Sequence, residues 1–205
     1  GSVHHFSALE HVFAQVAQAL TPTGFFVLNE YIGRDRFQFP PRQREIIQAC
    51  WQLLPPAYRQ PLPAAVAEHR RVARQRHPLS WYLRRAREKW QDGDFLAAIQ
   101  RRVALWRNKP RMGIRFASAQ DVAATDPSEA VRSSAIVPLL KQQFEIMEFK
   151  PLGGNILQNL LADIAGNFLT PEGERWVEWL LDLEELLLAQ GELQSDFAYI
   201  VARGR

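Results

Sequence analysis

A chain of 205 residues with 47% hydrophobic and 23% charged positions suits one globular domain with a substantial core, or a domain plus an insertion, and excludes a disordered or fibrous class. No apolar run approaches the roughly 18 uncharged residues of a membrane helix; the longest apolar-rich stretch, Trp176 to Ala189, is broken by Glu178, Asp182, Glu184 and Glu185. The single cysteine, Cys50, excludes an internal disulfide framework, no secretory leader is read, and a reducing cytoplasm is the expected compartment.

Gly1-Ser2 has the look of a cloning scar. Net charge is +3, unevenly spread: between Glu68 and Arg115, 14 Lys/Arg stand against 4 Asp/Glu, a local +10 that leaves −7 for the remainder. The middle of the chain is therefore a segment of its own kind.

In chain order, Ala8 to Leu20 places Leu9, Val12, Phe13, Val16 and Leu20 at helical spacing, with Ser7 as the expected N-cap. Thr21-Pro22-Thr23-Gly24 turns the chain. Gly24 to Tyr31 is a continuous apolar run, the pattern of a strand buried on both faces in a parallel sheet, and a preceding strand would end at about Val3. Pro40-Pro41 opens a helix closed by Pro55-Pro56.

From residue 55 to 124 the texture changes to prolines and arginine-rich segments, with short helices expected at Ala64–Arg76, Ser80–Trp90 and Asp94–Trp106. Asp126-Pro127-Ser128-Glu129 predicts a helix start running to about Gln142, followed by a strand over Phe144–Phe149. Gly153-Gly154 breaks the chain before an amphipathic helix over Asn155–Asn167. Thr170-Pro171 starts another to about Gln190, and Ser195–Ala202 closes as a strand. Trp176 and Trp179 are expected in the core. The division is a core of residues 1–54 and 125–205, with 55–124 as a basic helical lid.

Ser2-Val3-His4-His5-Phe6 and Leu20-Thr21-Pro22-Thr23-Gly24-Phe25-Phe26-Val27 resemble, in turn, the segment after the fourth strand and the turn into the fifth strand of class I S-adenosylmethionine-dependent methyltransferases. Asn29-Glu30-Tyr31-Ile32-Gly33-Arg34-Asp35-Arg36-Phe37-Gln38 resembles the "EYIGPxRFQW" segment of a bacterial subgroup. So do Asp126-Pro127-Ser128-Glu129-Ala130-Val131-Arg132-Ser133 and Gly153-Gly154 with Ile164-Ala165-Gly166-Asn167-Phe168.

The resemblance implies an α/β fold: the C-terminal part of a Rossmann-like seven-stranded sheet carrying an inserted helical lid. It implies the acceptor-binding portion of an enzyme that methylates a small or carrier-linked acceptor. S-adenosylmethionine would be the cofactor of a longer parent protein, because the E/D-x-G-x-G-x-G loop after the first strand has no counterpart here and Gly153-Gly154 lacks its spacing. By itself this portion is expected to be inactive, to bind the cofactor poorly, and to self-associate through its exposed sheet edge.

Of the candidate residues, His4 or His5 would act as general base or orient a nucleophile, against the plainer role of packing a strand–helix junction. Glu30 would accept a hydrogen bond from the acceptor, against an ion pair with Arg34 or Arg36. Tyr31, Arg36, Glu129 and Arg132 are the substrate-binding candidates, Arg132 as a planar donor to an anion and Asp126 as a helix cap. No metal-ligand set is read from the sequence.

The basic stretch with Trp81, Tyr82, Trp90 and Trp106 carries no nucleic-acid-binding motif, so a solvated lid is preferred to a nucleic-acid surface and neither a nucleic-acid nor a membrane partner is expected. The alternative to an enzyme is a non-catalytic methyltransferase-like interaction module. A nucleic-acid methyltransferase ranks behind it.

Overall fold

The computed structural model describes residues 1–62 and 113–205. The three short helices expected over 64–76, 80–90 and 94–106 lie outside the described residues. Two compact units divide the chain: Gly1–Ile47 with Arg115–Asn159 and Leu180–Arg205, and Gln48–Ile114 with Leu160–Trp179.

The first unit holds a mixed α/β arrangement on a three-stranded sheet. Its strands are β1 (Phe25–Tyr31), β2 (Phe144–Gly153) and β3 (Phe197–Gly204), in the order β1-β3-β2. Both neighbours run antiparallel to β3, from Phe25↔Arg203 to Tyr31↔Phe197 on one side and Phe144↔Gly204 to Gly153↔Phe197 on the other. The seven-stranded sheet implied by the resemblance is not what these residues display: the sheet is small, open and antiparallel at each pairing.

One face is covered by α1 (Leu9–Ala19) and α4 (Ile136–Gln143). Leu9 and Phe13 of α1 and Ile136 and Leu140 of α4 close with Leu28, Phe144, Ala198, Ile200 and Ala202 into one core. Phe13 and Phe144 meet edge to face at 6.2 Å, a geometry that suits their ring quadrupoles. β3 shows why the register is fixed. Ala198, Ile200 and Ala202 alternate inward, and a slip of one residue would turn all three away from the helices.

β1 corrects the expectation of a strand buried on both faces. Leu28 and Glu30 are buried, but Phe25 and Val27 on the opposite side are 55% and 51% exposed. An apolar run records β propensity as well as burial, and among the described residues only one side has helices against it. Ahead of α1, Val3–His5 is a 3₁₀ turn. Ala8, without a side-chain bond, occupies the cap position given to Ser7.

The helix expected from Asp126 is also corrected. A short α3 (Ala119–Thr125) precedes it, capped by Ser118 in a reciprocal box with Asp121. Residues after Asp126 form turns until the 3₁₀ turn Ser133–Ala135 leads into α4. Pro138 explains the late start, because its ring tolerates the first turn of a helix and not the interior of one begun at Pro127. Ala130, at φ 46°, breaks helical geometry as well.

β2 runs further than expected and takes bulges between Ile146 and Glu148 and between Pro151 and Gly153. Pro151 has no N–H to give, and an edge strand is where a sheet accepts it. The helix expected over Asn155–Asn167 is broken into α5 (Leu157–Leu160) and a 3₁₀ turn at Ala165–Phe168, with Asp163 at φ 67° between them. The helices opened by Pro41 and Pro171 stand as read: α2 is Pro41–Leu53, and α6 is Pro171–Ala189 with the Thr170 hydroxyl accepting from Gly173 N–H at 3.0 Å.

In the second unit, Cys50, Trp51, Leu54, Leu160, Ile164 and Phe168 are buried. The Asn167 amide donates to the carbonyls of Tyr58 (3.0 Å) and Gln60 (2.7 Å). Trp176 and Trp179 are not core: Trp179 is 39% exposed, and both line a groove of about 400 Å³ with Leu53, Glu172 and Arg175. Among the described residues no helix is long and apolar enough to cross a membrane.

Candidate functional site

The 3₁₀ turn Val3–His5 lies against the carboxyl end of β1, and the loop 126–132 closes over it. Val131 N–H donates to the His4 carbonyl at 3.1 Å, tying loop to turn. Glu30, 2% exposed, is the pivot. Its Oε2 accepts from Val3 N–H at 2.8 Å and its Oε1 takes the Nδ1 of His4. Burial alone would push the Glu30 carboxyl up, but these bonds outweigh it and hold the group below the usual carboxylate range. Glu30 therefore stays ionised and the His4 Nδ1 carries a proton towards it. The expected pairing with Arg34 or Arg36 is replaced by this one.

His5 is oriented in the same manner by a different partner. Asp126 Oδ1 accepts from the Ser128 amide at 2.8 Å and from its hydroxyl at 2.7 Å. These bonds, side chain first, keep the Asp126 carboxyl low. With its proton donated to Asp126, the Ser128 oxygen is an acceptor for His5 Nδ1 at 3.0 Å. Asp126 is thus an Asx-turn residue that sets a serine, not a cap of a long helix.

The consequence is convergence. His4 Nε2 lies 3.4 Å from Glu129 Oε1 and His5 Nε2 lies 4.0 Å from Glu129 Oε2. The three candidate donor atoms all fall within 4.8 Å of one another, each on a half-buried side chain. The imidazole rings sit 4.3 Å apart.

The other sequence candidates do different work. Arg36 N–H donates to the Ala130 carbonyl (2.7 Å) and its Nη1 to the carbonyls of Glu129 (3.0 Å) and Asp126 (3.3 Å), so it clamps the loop that carries Glu129. Arg36 itself stands at φ 54°, in the left-handed region an unbranched side chain enters at some cost. Arg132 is engaged by a two-pronged pair with Glu10 at 2.6 and 2.7 Å and by the Ser7 carbonyl at 2.8 Å, which lowers the Glu10 carboxyl to about 2. Tyr31 is buried, its hydroxyl donates to the Arg34 carbonyl at 2.9 Å, and burial followed by the Asp196, Asp35 and Glu129 carboxylates raises its phenol, so it stays protonated.

Sequence reasoning found His4, His5, Glu30 and Glu129 singly. It missed that they form one array, and it missed Ser128, whose role depends on a fold-back of 123 residues.

The cofactor implied by the resemblance needs an anion- or nucleoside-cradling glycine loop, and Gly153-Gly154 does not fit it. The turn is filled from within: Glu184 accepts from Gly154 N–H at 2.8 Å and Ile156 N–H at 2.5 Å, and a side chain at Gly154 would run into the Phe197 ring. Comparison with protein-family models, curated proteins and solved structures returns no match to this chain.

Proposed function

We propose that the chain is the acceptor-side portion of an S-adenosylmethionine-dependent methyltransferase, and that the His4–His5–Glu129 array is where a small or carrier-linked acceptor loses the proton it must shed to receive a methyl group. The observation that carries the reading is the setting of the array. Both imidazoles have Nδ1 committed, to Glu30 and to Ser128, which turns both Nε2 atoms towards Glu129 at the carboxyl end of β1. Sites in open α/β sheets gather at strand carboxyl ends.

The sheet order adds support. β1 and β2, counted as the fifth and sixth strands of the resemblance, are each antiparallel to β3 and hence parallel to one another. A mostly parallel sheet that carries one antiparallel strand is a common variant of doubly wound folds. No step is assigned to the cofactor on these residues.

Methyl transfer is to be assayed with labelled S-adenosylmethionine on the product of the whole gene. His4→Ala should lower the rate by about 10²–10⁴. A gene product without a strand, acidic glycine loop and helix upstream of Gly1, or without transfer activity, would overturn the reading. The chain alone should show no micromolar cofactor binding by calorimetry. Self-association is also expected, through the edge of β1 that is unpaired among the described residues, beside the exposed Phe25 and Val27, and a monomer in sedimentation velocity would refute that part.

A further inference from the structure

We infer that His4, His5 and Glu129 form a divalent transition-metal site. Three electron-rich groups face one another. Glu30 Oε1 is the partner of His4 Nδ1, and the Ser128 oxygen, its own proton donated to Asp126, is the partner of His5 Nδ1. Each imidazole turns its Nε2 towards the Glu129 carboxylate, His4 to Oε1 and His5 to Oε2. The three donor atoms, all within 4.8 Å of one another, form a cluster that a cation fills.

Separations of 3.4 and 4.0 Å between donor atoms match what a cation requires. With metal–nitrogen and metal–oxygen bonds of about 2.0–2.2 Å, tetrahedral neighbours stand roughly 3.3 Å apart, within reach of small rotations of these side chains. Two neutral imidazoles and one carboxylate suit zinc or another first-row divalent ion and leave at least one coordination position open.

The surroundings are those of a built site. A histidine that binds a metal through one ring nitrogen commonly donates the other N–H to a carboxylate or another oxygen. Here a buried glutamate does this for His4 and a serine does it for His5, and Asp126 fixes that serine in turn. The Arg36 bonds to the Asp126 and Glu129 carbonyls hold the loop that supplies the third ligand.

At the open position the cation would bind an acceptor hydroxyl and lower its pKa, the proton passing to solvent. That use rests on the proposed function, but the binding itself does not, and it is measured with neither cofactor nor acceptor present.

The probe is the metal alone, added to the full chain: Zn²⁺ by calorimetry, and Co²⁺ by its visible absorption. One equivalent should bind, with the intense bands of a four- or five-coordinate cobalt centre. His4→Ala, His5→Ala and Glu129→Ala should each weaken binding at least about 100-fold, and Glu30→Gln by about 10- to 100-fold. His11→Ala should leave it unchanged. Should any variant fail to fold, nitrogen-15 imidazole spectra of the unaltered chain decide the matter: zinc must shift the Nε2 resonances of His4 and His5 and leave their Nδ1 protons in place. Absence of saturable binding, binding that survives His5→Ala, or a shift at Nδ1 would overturn the site. The array would then hold a protonated imidazole between two carboxylates.

Discussion

Two buried glutamates in the first unit end in opposite ways. Glu184, 4% exposed, is satisfied by backbone amides of the turn after β2. Glu30, 2% exposed, takes the backbone amides of Val3 and Tyr31 and then an imidazole, whose second nitrogen faces away from it. The first carboxylate closes a network on itself and completes a turn. The second passes polarity outward to His4 and leaves a group able to act on something else. Burial and charge are alike in the two places; what separates structure from site is whether the last partner in the chain of bonds has a free atom.

The sharpest test of that difference is Glu184→Ala. Two amides lose their acceptor, and about 2–4 kcal/mol of stability should go with them, while affinity for Zn²⁺ is unchanged. A loss of metal binding in a variant that still folds would collapse the distinction.

Next in size is a pH effect at the same turn. Asp196 accepts from the Gln43 amide at 2.6 Å, and burial, aided by the Glu184 charge and opposed by Gln43 and Arg34, raises its carboxyl to about 6. A folded-state value above the unfolded one means that the folded chain holds the extra proton. Stability from this group is therefore greatest below about pH 4 and falls as pH rises through 6, by about 2–3 kcal/mol in total. Urea midpoints of Asp196→Asn should lack that fall, and a variant that tracks the unaltered chain from pH 4.5 to 7 would refute it.

The smallest stability change is expected for Glu30→Gln, about 1–2 kcal/mol, since an amide oxygen can still accept from Val3 or His4. Its functional effect should exceed its effect on folding, the reverse of Glu184. Equal losses in both measures would show Glu30 to be a second structural carboxylate.

The sequence told most where local chemistry decides. Pro41 and Pro171 began their helices, Gly153 and Gly154 adopt φ of 73° and 81°, and three strands lie near their expected places. It misled where a distant partner decides. The apolar run of β1 could not reveal that Phe25 and Val27 stand exposed on one face, and Asp126-Pro127-Ser128-Glu129 reads as a helix start unless the veto of Pro138 is weighed. Ser118-Ala119-Gln120-Asp121 carried a capping signal that could have located α3. The array needed the fold itself, since residues 4, 5, 30, 128 and 129 meet only when the loop before α4 returns to the first turn.

One consequence lies in the order of β1-β3-β2. The strand in the middle is the last of the three to be synthesised, so the pairings that β1 and β2 make among the described residues wait until residues 197–204 have left the ribosome. Closing a pairing between positions 25 and 203 makes for slow, non-local assembly. During translation the aromatic-rich segment of β1 waits for its pairing with β3, and chaperone demand should fall once that strand emerges.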